Sequence, residues 1–292
     1  MTDLLTITPH LKDLGGGFVV RRLLPSAERA SVGPFVFFDH FGPITAGPDD
    51  NHDVRPHPHI GLATVTYLFE GAMLHRESTG VVQRIEPGAI NWMTAGRGIV
   101  HSERTPTDLL GHARRSHGLQ LWVAVPAEHE EDAPSFQHTP AAAIPEHRSA
   151  GVVVRVLAGS AFGLGSPVAT LSPTLYLDFR FERASGGVVP VPANVSERAL
   201  YSVDEDFELD GVLVPARTMV ILAPGHEPML TAPRGGRLVL IGGQPLGRRH
   251  LLWNFVSSRA ERIREAQDDW AAQRFPSVPG ETEFIPLPPR RR

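Results

Sequence analysis

No cysteine occurs among the 292 residues, which excludes disulfide stapling, thiolate zinc sites and cysteine nucleophiles together. Lysine is almost as scarce: Lys12 is the only one among 28 basic residues, so arginine clusters carry less meaning here than usual. No apolar run approaches the roughly 20 residues needed to span a bilayer. The opening Met1-Thr2-Asp3-Leu4 lacks the basic and apolar regions of a secretory signal, and a cytoplasmic protein without membrane attachment is expected. Positive charge is not in excess either. A net charge of −4 gives no general attraction to nucleic acid.

What remains is a chain that can fold. A hydrophobic fraction of 41% is enough for a packed core, and the length suits two domains. The 28 glycines and 27 prolines are spread evenly rather than gathered in one tract. Between them lie short apolar runs: Phe35–Phe38, Thr64–Phe69, Ile90–Met93, Leu119–Val125, Val152–Leu157, Leu175–Phe181, Leu200–Val203, Thr218–Leu222 and Leu238–Ile241. Many short strands with frequent turn residues predict an all-β sandwich or barrel. The alanine- and proline-rich stretch Pro134–Gly151 marks the boundary, giving domains at 1–140 and 141–292.

One helix is readable. Ser258 and Glu261 have capping-box spacing, and Ala260, Ile263, Ala266 and Trp270 recur at intervals of three and four as a docking face. The proline-rich end beyond Phe275, closing on Arg290-Arg291-Arg292, reads as a solvated, partly extended tail.

Fourteen histidines are many for this length, and eight of them fall between His40 and His117. Two short runs stand out, His57-Pro58-His59 and His101-Ser102-Glu103. Side chains alternate faces along a strand, so positions i and i+2 point the same way and can grip one ion. Three imidazoles and a carboxylate form a mixed donor set suited to Fe, Mn, Ni, Cu, Co or Zn. Four protein ligands leave open positions on an octahedral ion, where Glu103 can also act as a general base. Phe38, Trp92, Met93 and Trp122 are candidate pocket residues, with Gln120 as a polar partner. His75 follows the Glu70-Gly71 turn and could approach the pocket, although a hairpin surface position is preferred; His52 lies near the motif and is at best a neighbour of the ligands rather than one of them.

The chain also carries a diverged duplication. Tyr67–Gly71, Pro87-Gly88 and Thr94–Gly96 reappear in order as Tyr201–Glu205, Pro215-Ala216 and Leu222–Pro224. This alignment sets Val191 and Ala193 opposite His57 and His59, and Met229 and Thr231 opposite His101 and Glu103. None of these is a good ligand, so the second copy is expected to be metal-free.

With these motifs in place, the chain resembles the pirin family of the cupin superfamily. The resemblance is carried by Gly33–Phe41, His57–Tyr67, Asn91–Glu103, Gly118–Val123, Leu252–Ser258 and Pro279–Phe284. It implies a bicupin, two β-barrel domains face to face, with metal in the N-terminal one only. Iron, as Fe(II), is the metal it suggests, held by His57, His59, His101 and Glu103. Where the wider cupin pattern has a glutamate ligand, Thr64 stands here. Some pirins resemble quercetin 2,3-dioxygenases, which implies opening of a flavonol heterocycle by O₂ to a depside with release of carbon monoxide. Glu103 would take the proton of the 3-hydroxyl. Other members are metal-dependent regulators that bind a transcription factor or a metabolic enzyme. Many carry arginine directly after the second histidine, where this chain has Ile60. A monomer is expected, since duplicated barrels can bury each other's faces.

If only the first copy binds metal, elemental analysis of the metal-loaded protein should give about one ion per chain; a value near two would contradict the loss in the second.

Overall fold

Apolar runs of four to eight residues, bounded by glycine and proline, leave little room for anything but strands. The computed structural model describes residues 5–15, 17–183 and 186–289. Each of the nine apolar runs lies on a strand to within one residue, and the helix Ala260–Ala271 is the only α-helix among the described residues. No helix there is long and apolar enough to cross a membrane.

Packing sorts the described residues into two units. One holds those within 12–20, 41–141 and 246–292, the other those up to 11 and within 21–40 and 142–245. The first, richer in histidine, has two layers. Strands Ser135–Thr139, Ile90–Thr94, Leu62–Glu70 and Arg114–Ala124 are neighbours in that order, all antiparallel. The other layer runs Val54–His59, Ile99–Arg104, Met73–Glu77 and Val82–Ile85. Val54–His59 is its edge strand, which is where Pro56 and Pro58 can be tolerated without breaking a ladder. Gly61 makes the corner between the layers at φ +66°, and a Cβ there would lie 2.0 Å from the Val256 carbonyl oxygen. Only glycine fits.

The second unit repeats this order. Leu5–Ile7, Met219–Leu222, Glu197–Ser202 and Gly236–Gly243 are neighbours, as are Val188–Pro190, Met229–Thr231, Phe207–Leu209 and Val212–Val214. The duplication is therefore visible in topology. The register refines the alignment: Pro190 pairs with Met229, as His57 pairs with His101. If Met229 stands for His101, Pro190 and Pro192 rather than Val191 and Ala193 stand for His57 and His59. Val189, Val191, Leu200, Leu230 and Leu240 fill this unit's core.

Packing also distributes the chain differently from a division at residue 140. The strand Leu5–Ile7 pairs with Met219–Leu222 in the second unit, while the helix and tail belong to the histidine-rich one. The cause is the helix's apolar stripe. Ile263, Ala266 and Trp270 are buried against Ile60, Val100 and Phe255, on the side of the strand opposite His101.

Two local expectations change. Ser258 does not cap the helix; its N–H donates to Glu130 Oε1 at 2.7 Å, and Arg259 is the N-cap residue without a side-chain cap. The buried Glu130 carboxylate, which also accepts from Ser257 Oγ at 2.7 Å, out-competes a local box. Nor is the tail solvated throughout. Ile285 N–H donates to the Pro56 carbonyl at 2.8 Å, Trp270 Nε1–H to the Ile285 carbonyl at 2.9 Å, and Glu281 pairs with Arg104 and Ser102. The end of the chain thus straps the outer face of the strands that carry the histidines. Arg290, Arg291 and Arg292 lie outside the described residues.

Trp270 joins helix, tail and sheet, so Trp270→Ala should destabilise the histidine-rich unit by about 3–5 kcal/mol. Urea unfolding followed by circular dichroism measures this; a loss under about 1 kcal/mol would mean that the helix is not part of that core.

Candidate metal centre

Strand pairing brings the two motifs together. His57 and His59 share one face of Val54–His59, and His101 lies directly across from His57 in the antiparallel register. The result is a group of three buried imidazoles, each offering a nitrogen within 4.8 Å of the others. Their ring centroids are 4.3–5.0 Å apart.

Each ring is held from behind. His57 Nδ1 lies 2.9 Å from the Arg55 carbonyl and His59 Nδ1 3.1 Å from that of Asn254. A carbonyl only accepts, so Nδ1 carries the hydrogen and Nε2 keeps its lone pair. The Asn254 carbonyl is presented by a hairpin, His250–Leu252 and Phe255–Ser257, that turns through Trp253 at φ +53°. A bulky residue in the left-handed region marks local strain, retained where the surrounding structure fixes it. His101 is backed instead by another side chain: its Nδ1 lies 3.4 Å from Nδ1 of His75.

At the centre, Nε2 of His59 and Nε2 of His101 face each other at 3.1 Å. Two lone pairs at that distance repel unless a proton or a cation lies between them. Burial pushes the His57 pKa down to about 4 and holds His59 and His101 well below 6.5, with mutual repulsion among the rings adding to it. The cluster is therefore neutral at pH 7. Neutral imidazoles with converging lone pairs are what a divalent transition metal binds, and His57, His59 and His101 fit one.

Glu103 follows His101 by two residues and lies across from His75, while the pairing with Val54–His59 shifts register between His101 and Glu103. It is not part of the 4.8 Å group. Burial pushes its carboxyl up to about 7. It borders a cleft with Phe18, Phe41, His52, Met73 and Arg114.

The expected pocket residues separate. Trp122 packs edge-on against His59, with ring centroids 5.3 Å apart, and pairs with Thr64, which pairs with Met93. These three share the face turned to the histidines. So does Gln120, whose Oε1 accepts from Thr66 Oγ1 at 2.9 Å. Trp92 pairs with Val65 and so lies on the reverse face, in the core. Phe38 belongs to the other unit, packed 5.1 Å from Tyr201.

His75 is the residue that sequence reasoning misplaced. It is buried, not on a hairpin surface, and stacks on Phe136 at 4.7 Å. Its signal was present: the residue sits mid-strand, in phase with Met73 and Glu77. His52 is at the cleft, 5.3 Å from the Phe18 ring. Among the described residues, no second group of three such ligands occurs.

Comparison with known proteins agrees with this architecture. The family model described as Pirin matches residues 17–123, and that of the Pirin C-terminal cupin domain matches residues 176–276. A "Pirin-like protein" of Caulobacter vibrioides is 45% identical over 97% of this chain and 99% of its own length. "Pirin" of Rattus norvegicus is 34% identical, covering 90% of this chain and 89% of that one. Among solved structures, a quercetin 2,3-dioxygenase from Acinetobacter baumannii matches with a TM-score of 0.89 and 32% identity, covering 99% of this chain and 97% of that one.

The neutral cluster has a signature in pH. A buried histidine binds a proton less readily folded than unfolded, so its contribution is present above 6.5 and is lost as pH falls toward 4. Each imidazole lowers stability by up to about 1.4 kcal/mol per pH unit in that window. Glu103, raised from 4.5 to about 7, works in the opposite sense between those values and offsets about one of them. Urea unfolding of the chelator-treated protein should therefore show stability dropping from pH 6.5 to 4.5. Constant or rising stability on acidification would contradict a neutral cluster.

Proposed function

Because the chain belongs to the pirin family, with an N-terminal and a C-terminal cupin domain, we propose that it is an iron-dependent dioxygenase of the quercetin 2,3-dioxygenase type. The reaction joins one flavonol and one O₂ and releases a depside and carbon monoxide, so every atom is accounted for. The observation that carries this reading is the pairing of a buried histidine triad with the Glu103 carboxyl, two residues from His101 at the edge of a cleft. His57, His59 and His101 would hold the metal, with Glu103 as a fourth ligand. When bound, iron supplies the Lewis acidity and the reactivity toward O₂ that side chains lack.

The remaining work belongs to the protein. Glu103, a carboxyl at the cleft two residues from His101, would take the proton from an acidic flavonol hydroxyl and return it to the product. The carbonyls of Arg55 and Asn254 keep His57 and His59 in their ligating tautomers. Trp122, Met93 and Thr64 give the inner face a buried, mostly apolar lining. Phe18 and Phe41, 5.8 Å apart at the cleft beside Glu103, offer a wall on which a planar ring system can rest.

One observation favours a second reading, a metal-dependent regulator that binds a protein partner. The cleft beside Glu103 encloses about 50 Å³, well below the roughly 300 Å³ of an ordinary small-molecule site. The same assay separates the two. Protein loaded with Fe(II) should consume O₂ and bleach the flavonol absorbance, and Glu103→Ala should lower turnover at least about 100-fold. No turnover of any flavonol, with any of the metals above, would overturn the dioxygenase and leave the regulator.

A further inference from the structure

We propose that His75 is a positioning residue of the metal centre: its Nδ1 accepts the Nδ1–H of His101 and so selects the tautomer of His101 whose Nε2 is free for the ion. The proposal rests on the reading that His57, His59 and His101 hold a metal, and it is independent of dioxygenase chemistry.

The three ligands are backed unequally. Arg55 and Asn254 offer main-chain carbonyls, which can only accept. The ring nitrogen behind His101 can accept or donate, depending on where the His75 proton sits. Two arrangements of the same protons follow. In one, His75 Nδ1–H donates to His101 Nδ1, which puts the His101 proton on Nε2, 3.1 Å from Nε2 of His59. That arrangement satisfies the cluster internally and closes it to a cation. In the other, both protons change nitrogen: His101 Nδ1–H donates to His75 Nδ1, and His75 carries its own proton on Nε2. The lone pairs of His59 and His101 then converge on the ion.

The number of protons is the same in both states, so metal entry shifts the pair without requiring release or uptake. A structural detail agrees with this. Nε2 of His75 is buried without a hydrogen-bond partner, so its orphan hydrogen disfavours the open arrangement until an ion compensates. Stacking on Phe136 at 4.7 Å and an interplanar angle of 24° holds the His75 ring in place. The strand register, with His75 across from Glu103, sets its height beside His101.

His75 is thus the one backing group that substitution can alter directly. His75→Asn keeps an amide that can accept or donate near the Nδ1 position; His75→Leu removes both functions at similar size. Zinc affinity, measured by competition with a chromophoric chelator, should fall about 10–100-fold in His75→Leu and stay close to wild type in His75→Asn. A role in packing alone would lower both alike, or neither. Circular dichroism of the metal-free variants checks folding. Should His75→Leu fail to fold, the wild-type protein still decides. Nitrogen-15 NMR of its zinc-loaded form should show His101 protonated at Nδ1 with a downfield, hydrogen-bonded proton, and His75 protonated at Nε2. Unchanged zinc affinity in His75→Leu, or a His75 that carries its proton on Nδ1 with zinc bound, overturns the assignment. Wild-type protein that binds no metal at all would instead sink the metal centre itself.

Discussion

Three neutral imidazoles whose nitrogens converge in a buried space are the constraint around which the histidine-rich unit is organised. Burial keeps the rings uncharged, and uncharged rings brought this close repel through their facing nitrogens unless something positive lies between them. The surrounding structure is arranged to hold that tension. A carbonyl stands behind His57 and another behind His59, a second imidazole behind His101, and an indole lies edge-on to His59. The edge strand that carries His57 and His59 contains two prolines, so its ladder is incomplete. The strap formed by the tail, through Ile285 on Pro56, supports that strand from outside.

The second unit shows what the same topology does without this constraint. Its strands follow the same order, yet Pro190 pairs with Met229 where His57 pairs with His101, and aliphatic side chains close the interior. An ordinary hydrophobic core suffices there, stabilised by burial of apolar area. The two halves therefore separate architecture from chemistry. The cupin scaffold is common to both, and the site depends on a handful of side chains and the groups behind them.

Much of this was legible in the sequence because it follows from short-range rules. The spacing of His57 with His59, and of His101 with Glu103, is a statement about strand faces, and the apolar runs located every strand they touch. The helix face through Ile263, Ala266 and Trp270 was equally plain. What could not be read depends on pairing over long distances. Trp92 and Met93 are neighbours, and only the register against Val65 and Thr64 decides that Met93 alone faces the histidines. Phe38 lies in an apolar run like the others, and only the packing places it with Tyr201. His75 looked like a surface residue because nothing local brings it beside His101. Ser258 and Glu261 have ideal local spacing, yet Glu130, more than a hundred residues earlier, takes the serine.

The carbonyl behind His59 has a consequence in time as well as in space. It belongs to Asn254, 195 residues further along the chain. A ribosome that has synthesised the first 140 residues has made all three histidines and Glu103, but not the group that fixes the His59 ring, nor the helix and tail that brace its strand. The histidines emerge early and the group behind His59 comes late. The His59 ring therefore gains the carbonyl behind it, and its strand the outer strap, only when synthesis is almost finished.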